Sequence, residues 1–152
     1  MSWADSDIQF MRAAIAGAEQ AKAVDEVPVG AVVVAAGEII GRGFNRTIRD
    51  FDPSAHAEVV AIRDAASKAR NHRLTGATVY VTLEPCAMCM GTMIEARVGR
   101  LVFGAYDPKA GAVGSVMDLS DVKALKHRVE INGGLLEQEC MAILKGFFAT
   151  KR

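Results

Sequence analysis

Residues 77–89, ATVYVTLEPCAMC, combine the pattern of a β-strand with that of a helix start. Their first half is rich in apolar and β-branched side chains, which is typical of a strand. Pro85 disfavours helical backbone in the residue before it, so the strand must end at Glu84. Proline also fits the first turn of a helix, where an N–H has no partner. The segment therefore predicts a strand followed directly by a helix that carries Cys86 and Cys89.

Strand and helix patterns continue on both sides of this segment. The run 29–34 is apolar on both faces, as expected of a central strand covered by helices. Such interleaving favours a layered α/β domain with one mostly parallel sheet. Residues 107–127 carry no clear pattern. We predict strands at residues 29–34, 38–44, 77–83, 100–105 and 128–132, and helices at 8–18, from 53–54 onward, from 85 onward and at 136–147.

The composition is that of an ordinary globular protein. Of the 152 residues 51% are apolar and 24% are charged, and the formal net charge is zero. Zero net charge argues modestly against bulk nucleic-acid binding, although basic side chains can still cluster on one face. The acidic N-terminus is unlike a signal peptide, and the longest apolar run is too short to span a bilayer. We expect a single cytoplasmic domain over residues 1–152, whose three cysteines are reduced.

Three residues form a candidate zinc site. On a helix, Cys86 and Cys89 share a face, so both sulfurs can bind one ion. A helix N-terminus lowers the pKa of a thiol and so favours the thiolate that a metal requires. His56 would supply a third ligand, and a Cys-Cys-His donor set suits zinc.

The number of ligands indicates a catalytic metal. Structural zinc sites are usually closed by four protein ligands, whereas catalytic sites keep one position for water. Cys140 lies in the apolar stripe of the last predicted helix and is assigned to the core. His72 and His127 lie in polar segments that we expect to be exposed. No fourth ligand is evident in the sequence, so the site is interpreted as open.

Glu58 is the candidate proton carrier. It follows His56 by two positions, which on a regular helix separates the two side chains by about 200°. They can meet at one ion only if His56 lies in a loosely formed first turn. Glu58 need not bind the metal, because beside an activated water it can take up a proton and pass it to a leaving nitrogen.

Other interpretations stay open on these residues alone. A Cys-x-x-Cys pair is often a redox pair, and it could also belong to a structural zinc knuckle in a non-catalytic RNA-binding domain. The upstream His-x-Glu and the missing fourth ligand argue against both. A further alternative keeps the zinc chemistry but acts on a free base or nucleoside. Taken alone, Asn45 could be a turn residue and Arg46 a solvated charge.

The pattern HAE at residues 56–58 with PCAMC at 85–89 resembles the signature of zinc nucleobase deaminases, the cytidine/deoxycytidylate deaminase superfamily. Within it, the chain is similar to the bacterial tRNA-specific adenosine deaminases. The segments 103–115, FGAYDPKAGAVGS, and 127–131, HRVEI, are the most particular to them. The similarity covers nearly the whole chain, including residues 26–32, 45–46, 55–58 and 80–91.

This resemblance implies a fold and a reaction. The fold would be a three-layer α/β/α cytidine-deaminase-like fold with a five-stranded mixed sheet. The protein would be a homodimer with active sites near the interface. The reaction would be the hydrolytic deamination of adenosine to inosine at the wobble position of a tRNA anticodon loop, whose single-stranded bases can be splayed into a pocket.

The resemblance also implies which residues form the site. One zinc ion per subunit would be held by His56, Cys86 and Cys89, with Glu58 as proton shuttle. Asn45 would hold the substrate nucleoside, and Asp107 would contact the RNA loop. The full set of expected substrate-binding residues is Asn45, Ala57, Arg46 and Asp107.

Overall fold

Five strands and four α-helices form residues 2–151, the part of the chain that the computed structural model describes. Positions 1 and 152 of the predicted domain lie outside it. The helices are α1 (Asp5–Ala23), α2 (Ala57–Ala69), α3 (Ala87–Glu95) and α4 (Glu137–Ala149). The strands are β1 (Gly30–Ala35), β2 (Glu38–Phe44), β3 (Thr78–Leu83), β4 (Arg100–Ala105) and β5 (Glu130–Gly133). None of these helices is long and apolar enough to cross a membrane.

The strands of this region form one sheet in the order β2-β1-β3-β4-β5. β1 pairs antiparallel with β2 and β3, whereas β3, β4 and β5 run parallel to one another. The sheet is therefore mixed, as the family resemblance implies: four strands run in one direction, in line with the expectation of a mostly parallel sheet, and β1 runs against them. One reason is the tight hairpin at Ala36 and Gly37, which have φ of 52° and 76° and reverse the chain within the sheet.

Helices cover both faces of the sheet and give three layers. α1 and α4 pack on one face, over a core that includes Met11, Val102 and Cys140. α2 and α3 pack on the other face, over a core that includes Val81 and Met93. The three-layer α/β/α arrangement expected from the resemblance is confirmed.

Two glycines allow α2 to lie directly against β2. A Cβ at Gly41 would lie 2.5 Å from the carbonyl oxygen of Ala61, and a Cβ at Gly43 would lie 2.5 Å from the backbone nitrogen of Ala61. Both distances are far below the contact distance of about 3.5–4.0 Å between non-bonded carbon atoms. This close packing fixes the first turn of α2, where His56 and Glu58 lie.

The start of α2 differs from the prediction. The helix begins at Ala57 and not at residues 53–54. Asp52 holds a turn in that place, because its side chain accepts the N–H of Ser54 (2.9 Å) and its carbonyl accepts the N–H of Ala55 (3.1 Å). An aspartate turn of this kind competes with helix formation.

Two other elements also begin later than predicted. α3 begins at Ala87 with Cys86 as its N-cap, so Pro85 precedes the helix. β5 begins two residues late because the N–H of Val129 donates to the carbonyl of Ser120 and belongs to the preceding loop. Residues 107–127, where no element was predicted, form this loop and contain one short 3₁₀ turn, Lys123–Leu125.

Candidate active site

Two helix N-termini meet at the edge of the sheet where β3 and β4 end. His56 is the N-cap of α2 and Cys86 is the N-cap of α3, and both have extended backbone (φ −71°, ψ 154° and φ −81°, ψ 176°). Because an N-cap residue lies half outside its helix, the His56 side chain is not bound by the helical spacing that would separate it from Glu58. The structure therefore meets the condition under which the two side chains can converge.

The three candidate ligands have the spacing of a tetrahedral metal site. His56 Nδ1 lies 3.6 Å from Cys86 Sγ and 3.5 Å from Cys89 Sγ, and the two sulfurs are 3.8 Å apart. A tetrahedral zinc ion has bonds of about 2.3 Å to sulfur and about 2.0–2.1 Å to nitrogen. These bonds require a nitrogen–sulfur separation of about 3.6 Å and a sulfur–sulfur separation of about 3.8 Å. The donor set and its spacing both fit one zinc ion.

Hydrogen bonds within this cluster favour a thiolate at Cys86. Donation from Cys89 and His56 lowers the pKa of Cys86 to about 3, against the opposing effect of burial. Donating its proton to Cys86, together with burial, raises the pKa of Cys89. A bound cation would also favour the ionised form of the second thiol.

No fourth ligand joins this cluster within residues 2–151. Cys140 is buried in the core on α4, as predicted, with its sulfur against Gly104. His72 is exposed, also as predicted. His127 is only half-exposed, and its Nε2 lies 2.7 Å from the carbonyl oxygen of Val98, so the expectation of an exposed residue was wrong. With three ligands, the site keeps one coordination position for a non-protein group.

Glu58 lines the same cavity as His56 and Cys86 and is only 3% exposed. Its Oε1 is buried and has no hydrogen-bond partner among the described residues. Burial raises the pKa of Glu58 to about 7, although the charge on His56 opposes the shift. A buried carboxyl group that titrates near neutrality and has an unpaired oxygen is suited to taking up and releasing a proton.

The cavity at this cluster has a volume of about 120 Å³. This is smaller than the clefts of about 300–1,000 Å³ that hold drug-sized ligands, so only a small part of a nucleic-acid substrate would enter it, and we call it the base cavity. Acidic, amide and apolar side chains line it together with two of the metal ligands: Val27, Val29, Asn45, His56, Glu58, Leu83, Glu84, Cys86, Asp107 and Ala110.

Two of the four expected substrate-binding residues, Asn45 and Asp107, line the cavity. The Asn45 side-chain oxygen accepts the backbone N–H of Ala57 at 2.9 Å, which leaves its amide nitrogen available to a bound base. The side chain of Ala57 is itself fully buried. Asp107 uses one carboxylate oxygen to accept the N–H groups of Lys109 and Ala110 and so shapes the loop at the cavity mouth.

Arg46 lies outside the lining of this cavity. Its guanidinium pairs with Asp50 at 3.0 and 3.2 Å and lies 5.3 Å from the centre of the Phe44 ring. It lines a separate cavity of about 600 Å³ beside β2 and α1. Any contact of Arg46 with a substrate would therefore involve a part of the substrate outside the base cavity.

Two buried carboxylates near the cavity, Glu26 and Glu84, were not predicted to belong to the site. Glu26 and Glu84 are 1% and 2% exposed. Glu26 accepts hydrogen bonds from the loop that follows Asn45, and Glu84 accepts them from the loop that begins at Asp107. The sequence signal was a charged residue directly before an apolar run (Glu26) or before a proline (Glu84). Such a signal does not identify the groups to which the carboxylate bonds.

A second cavity, of about 400 Å³, adjoins the first and shares Val27, Leu83 and Asp107 with it. Its other lining residues include Tyr106 and Phe148, which are 50% and 52% exposed. Exposed aromatic rings are surfaces on which unpaired bases stack. The two cavities together offer two adjoining subsites at the same edge of the sheet.

Comparison with known sequences identifies relatives over almost the whole chain. The sequence pattern of the cytidine and deoxycytidylate deaminase zinc-binding region matches residues 4–105. The tRNA-specific adenosine deaminase of Haemophilus influenzae is 46% identical over 147 residues, which cover 96% of this chain and 85% of the relative. That of Bacillus subtilis is 44% identical over 146 residues, which cover 96% and 91%.

Solved structures with this fold include two kinds of deaminase. One comes from a study of A-to-I editing by tRNA:A34 deaminases at the wobble position of transfer RNA; it is 44% identical and superposes with a TM-score of 0.87, over 90% of this chain and 99% of the other. The guanine deaminase of Nitrosomonas europaea is 25% identical and superposes with a TM-score of 0.82, over 98% and 87%.

Proposed function

This chain belongs to the cytidine and deoxycytidylate deaminase family, and from that premise we propose that it hydrolyses adenosine to inosine at the wobble position of a tRNA anticodon. The observation that carries the chemistry is the open cluster of His56, Cys86 and Cys89, which lies beside the buried Glu58 at one small cavity. The identity with relatives named as tRNA-specific adenosine deaminases supports the choice of substrate.

The chemistry divides between the metal and Glu58. A zinc ion held by His56, Cys86 and Cys89 would supply the acidification of a water molecule, from a pKa of about 15.7 to about 7. Glu58 takes a proton from the attacking water and delivers it to purine N1 as the C6–O bond forms. The same carboxylate carries the remaining hydroxyl proton to the C6 amino group, the C6–N bond breaks, and ammonia leaves inosine.

The other predicted site residues have supporting roles in this proposal. The amide nitrogen of Asn45 donates to the bound nucleoside, and the Ala57 backbone holds Asn45 in place through their hydrogen bond. Asp107 contacts the RNA at the cavity mouth. Arg46 contacts the RNA backbone outside the base cavity, in keeping with its position beside β2.

Features outside the base cavity favour RNA over a free base. The second cavity presents the aromatic faces of Tyr106 and Phe148 with Lys109 at its rim. Such a surface suits an unpaired base and a phosphate next to the target nucleotide. The alternative is deamination of a free purine base, which the similarity to a guanine deaminase and the zero net charge favour.

The proposal includes a homodimer in the cytoplasm. Large apolar side chains are exposed on the loops and helix start around the active site: Ile48, Phe51, Met88, Val116 and Met117. Phe51 is 94% exposed, and a second copy of the chain is the partner that would cover it. Light scattering should give the mass of a dimer, and Phe51→Ser should lower it. A monomer across working concentrations would contradict the dimer.

The substrate is tested with an anticodon stem-loop, free adenosine and free guanine in parallel. Inosine should form in the stem-loop, at the wobble position, with a kcat/KM at least about 10²-fold above that for free adenosine, because binding of flanking nucleotides positions the reacting base. Sequencing of treated tRNA maps the site. Efficient deamination of guanine without reaction on the stem-loop would overturn the tRNA assignment and leave the zinc chemistry in place.

A further inference from the structure

Two loops form the walls of the catalytic cavity, and each is attached to a buried carboxylate that has no part in the reaction. Residues 45–56 contribute Asn45 and His56, and residues 107–115 contribute Asp107 and Ala110. We propose that Glu84, with Glu26 in a parallel role, is a positioning residue that holds its loop against the cavity and so determines how tightly the RNA binds. The inference rests on the proposed function only for the identity of the substrate.

The Glu84 carboxylate makes four hydrogen bonds to one loop. One oxygen accepts the N–H of Asp107 at 3.1 Å and the hydroxyl of Ser115, and the other accepts the N–H groups of Val113 and Ser115, both at 3.1 Å. Glu84 follows β3, so a strand of the sheet carries the acceptor for a loop that contains no helix and no strand longer than the single β-bridge at Val113. Both ends of the 107–115 loop are thereby attached to one side chain.

The packing at Gly111 shows how closely this loop encloses the carboxylate. A Cβ at Gly111 would lie 2.3–2.4 Å from the carboxylate atoms of Glu84. The backbone of the loop therefore passes directly over the carboxylate and excludes water from it. Any larger residue at this position would have to displace either the loop or Glu84.

Glu26 has the same relation to the other loop. Its two oxygens accept the N–H groups of Ile48 (3.3 Å) and Arg49 (2.8 Å). These residues lie between Asn45 and His56 in the chain, so the bonds restrain the segment that carries both. Glu26 also directly precedes Val27, which lines both cavities.

A carboxylate is the group that this geometry requires. All the donors that face Glu26 and Glu84 are N–H or O–H groups, and an ionised carboxylate offers acceptors only. In Glu84→Gln one oxygen becomes an NH₂ group that faces N–H donors, so bonds to the loop are lost while size and shape stay the same. Hydrogen bonds to a charged acceptor contribute more than neutral ones, so the loop should open more often.

Amide hydrogen exchange tests the attachment without any substrate. In zinc-loaded Glu84→Gln, exchange at Asp107, Val113 and Ser115 should be at least about tenfold faster than in the unmodified protein. Glu26→Gln should instead accelerate Ile48 and Arg49. Ser115→Ala, which removes only the hydroxyl contact, should have a smaller effect on the same loop as Glu84→Gln.

Kinetics on an anticodon stem-loop test the positioning role. Glu84→Gln should raise KM about tenfold with kcat within about threefold and zinc content unchanged, the pattern of lost binding energy. Gly111→Ala should give the same change through a steric clash, which keeps the test valid if Glu84→Gln folds poorly. Gly146→Ala is the matched control, since its Cβ would meet only Lys22 Nζ, at 3.9 Å.

Asp7→Asn controls for the loss of a buried carboxylate in general, because Asp7 is 7% exposed and lies outside both cavity linings. It should leave KM unchanged. Unchanged loop exchange in both Glu84→Gln and Gly111→Ala would overturn the attachment, and faster exchange with unchanged KM would overturn the positioning role. If the unmodified protein does not deaminate the stem-loop, the proposed function fails, and the exchange experiment still decides the attachment.

Discussion

The side-chain oxygen of Asn45 accepts a hydrogen bond from the backbone N–H of Ala57 at 2.9 Å. Asn45 directly follows β2 and Ala57 is the first residue of α2, so the bond joins the end of a strand to the start of a helix. It satisfies an N–H that the helix itself leaves without a partner, in place of a cap from the His56 side chain. One side chain thus orients the metal-ligand segment and faces the base cavity.

Two substitutions of Asn45 should separate these roles. Asn45→Asp keeps the acceptor for Ala57 but loses the amide donor, so stability should stay within about 0.5 kcal/mol while kcat/KM falls about tenfold. Asn45→Ala loses both, and should also lose about 1 kcal/mol of stability, as other capping substitutions do. Thermal unfolding and steady-state kinetics measure the two effects. An Asn45→Asp protein with full activity would show that the amide nitrogen does not contact the base.

The three cysteines should differ in their effect on metal content. The unmodified protein should contain about one zinc per chain, and Cys86→Ala and Cys89→Ala should lose both zinc and activity. Cys140→Ala is the matched control: its sulfur packs against Gly104 in the core, so the variant should lose some stability but keep zinc. Elemental analysis of the purified proteins decides, and full zinc occupancy in Cys86→Ala would contradict the ligand set.

Glu58→Gln should separate binding from chemistry. The amide has nearly the same shape as the carboxyl group but cannot carry protons, so turnover should fall by at least about 10²-fold. Zinc content and RNA affinity should be retained, because Glu58 is not one of the three metal ligands. Stability should not fall, since the substitution removes a buried ionisable group with an unpaired oxygen. Turnover close to that of the unmodified protein would mean that another group moves the proton.

Asp7 should make folding stability dependent on acid pH. Burial acts to raise the pKa of Asp7, but hydrogen bonds from Arg100 (2.9 Å) and Tyr80 (2.7 Å) outweigh it and leave the pKa below its ordinary value. A lowered pKa contributes stability that is complete above the unfolded value of about 3.9 and is lost as the pH falls through the folded value.

Asp7→Asn should therefore lower stability at neutral pH by about 1–3 kcal/mol, less than for a fully buried pair because Arg100 is 28% exposed. For a chain of this size this corresponds to about 2–4 °C in Tm per kcal/mol. In melting curves measured from pH 7 to pH 3, the difference from the unmodified protein should hold down to about pH 4 and shrink as the pH falls further, towards the folded pKa of Asp7. A constant difference over that range would exclude the ionised Asp7 as its source.

Most elements and the two cysteine ligands could be predicted from the sequence because both depend on local spacing. The strand before Pro85 and the Cys86–Cys89 pair could be identified from neighbouring residues alone. The start of α2 could not, because it depends on a turn at Asp52 and on a hydrogen bond from Asn45 in another element. The pairing of β1 with β3 likewise depends on tertiary contacts, which apolar content does not encode.

Glu26 and Glu84 were missed for a related reason. The Glu84 carboxylate bonds to backbone N–H groups 23 to 31 positions later, in a loop that has no periodic pattern. A buried carboxylate that binds backbone groups leaves no partner side chain for sequence reasoning to find. The same applies to His127, which is half-buried with its ring beside the backbone carbonyl of Val98.

The salt dependence of RNA deamination should distinguish Lys109 from Arg46. Each phosphate contact that is lost should lower the slope of log(kcat/KM) against log(salt) by about 0.7–0.9. Lys109 is exposed at the rim of the second cavity, and the ion pairs found in residues 2–151 do not include it. Lys109→Ala should therefore produce nearly this full change.

Arg46→Ala should change the slope by clearly less, because Asp50 already neutralises the guanidinium at 3.0 Å. Lys68→Ala is the control for the loss of a positive charge, since Lys68 lies in the last turn of α2, at the opposite end of that helix from His56, and should leave the slope unchanged. The measurements use the stem-loop below saturation, between about 50 and 200 mM salt, where phosphate contacts dominate. Equal slopes for Lys109→Ala and Lys68→Ala would contradict a phosphate contact at the second cavity. A full-sized change in Arg46→Ala would mean that the RNA displaces Asp50 from the guanidinium when it binds.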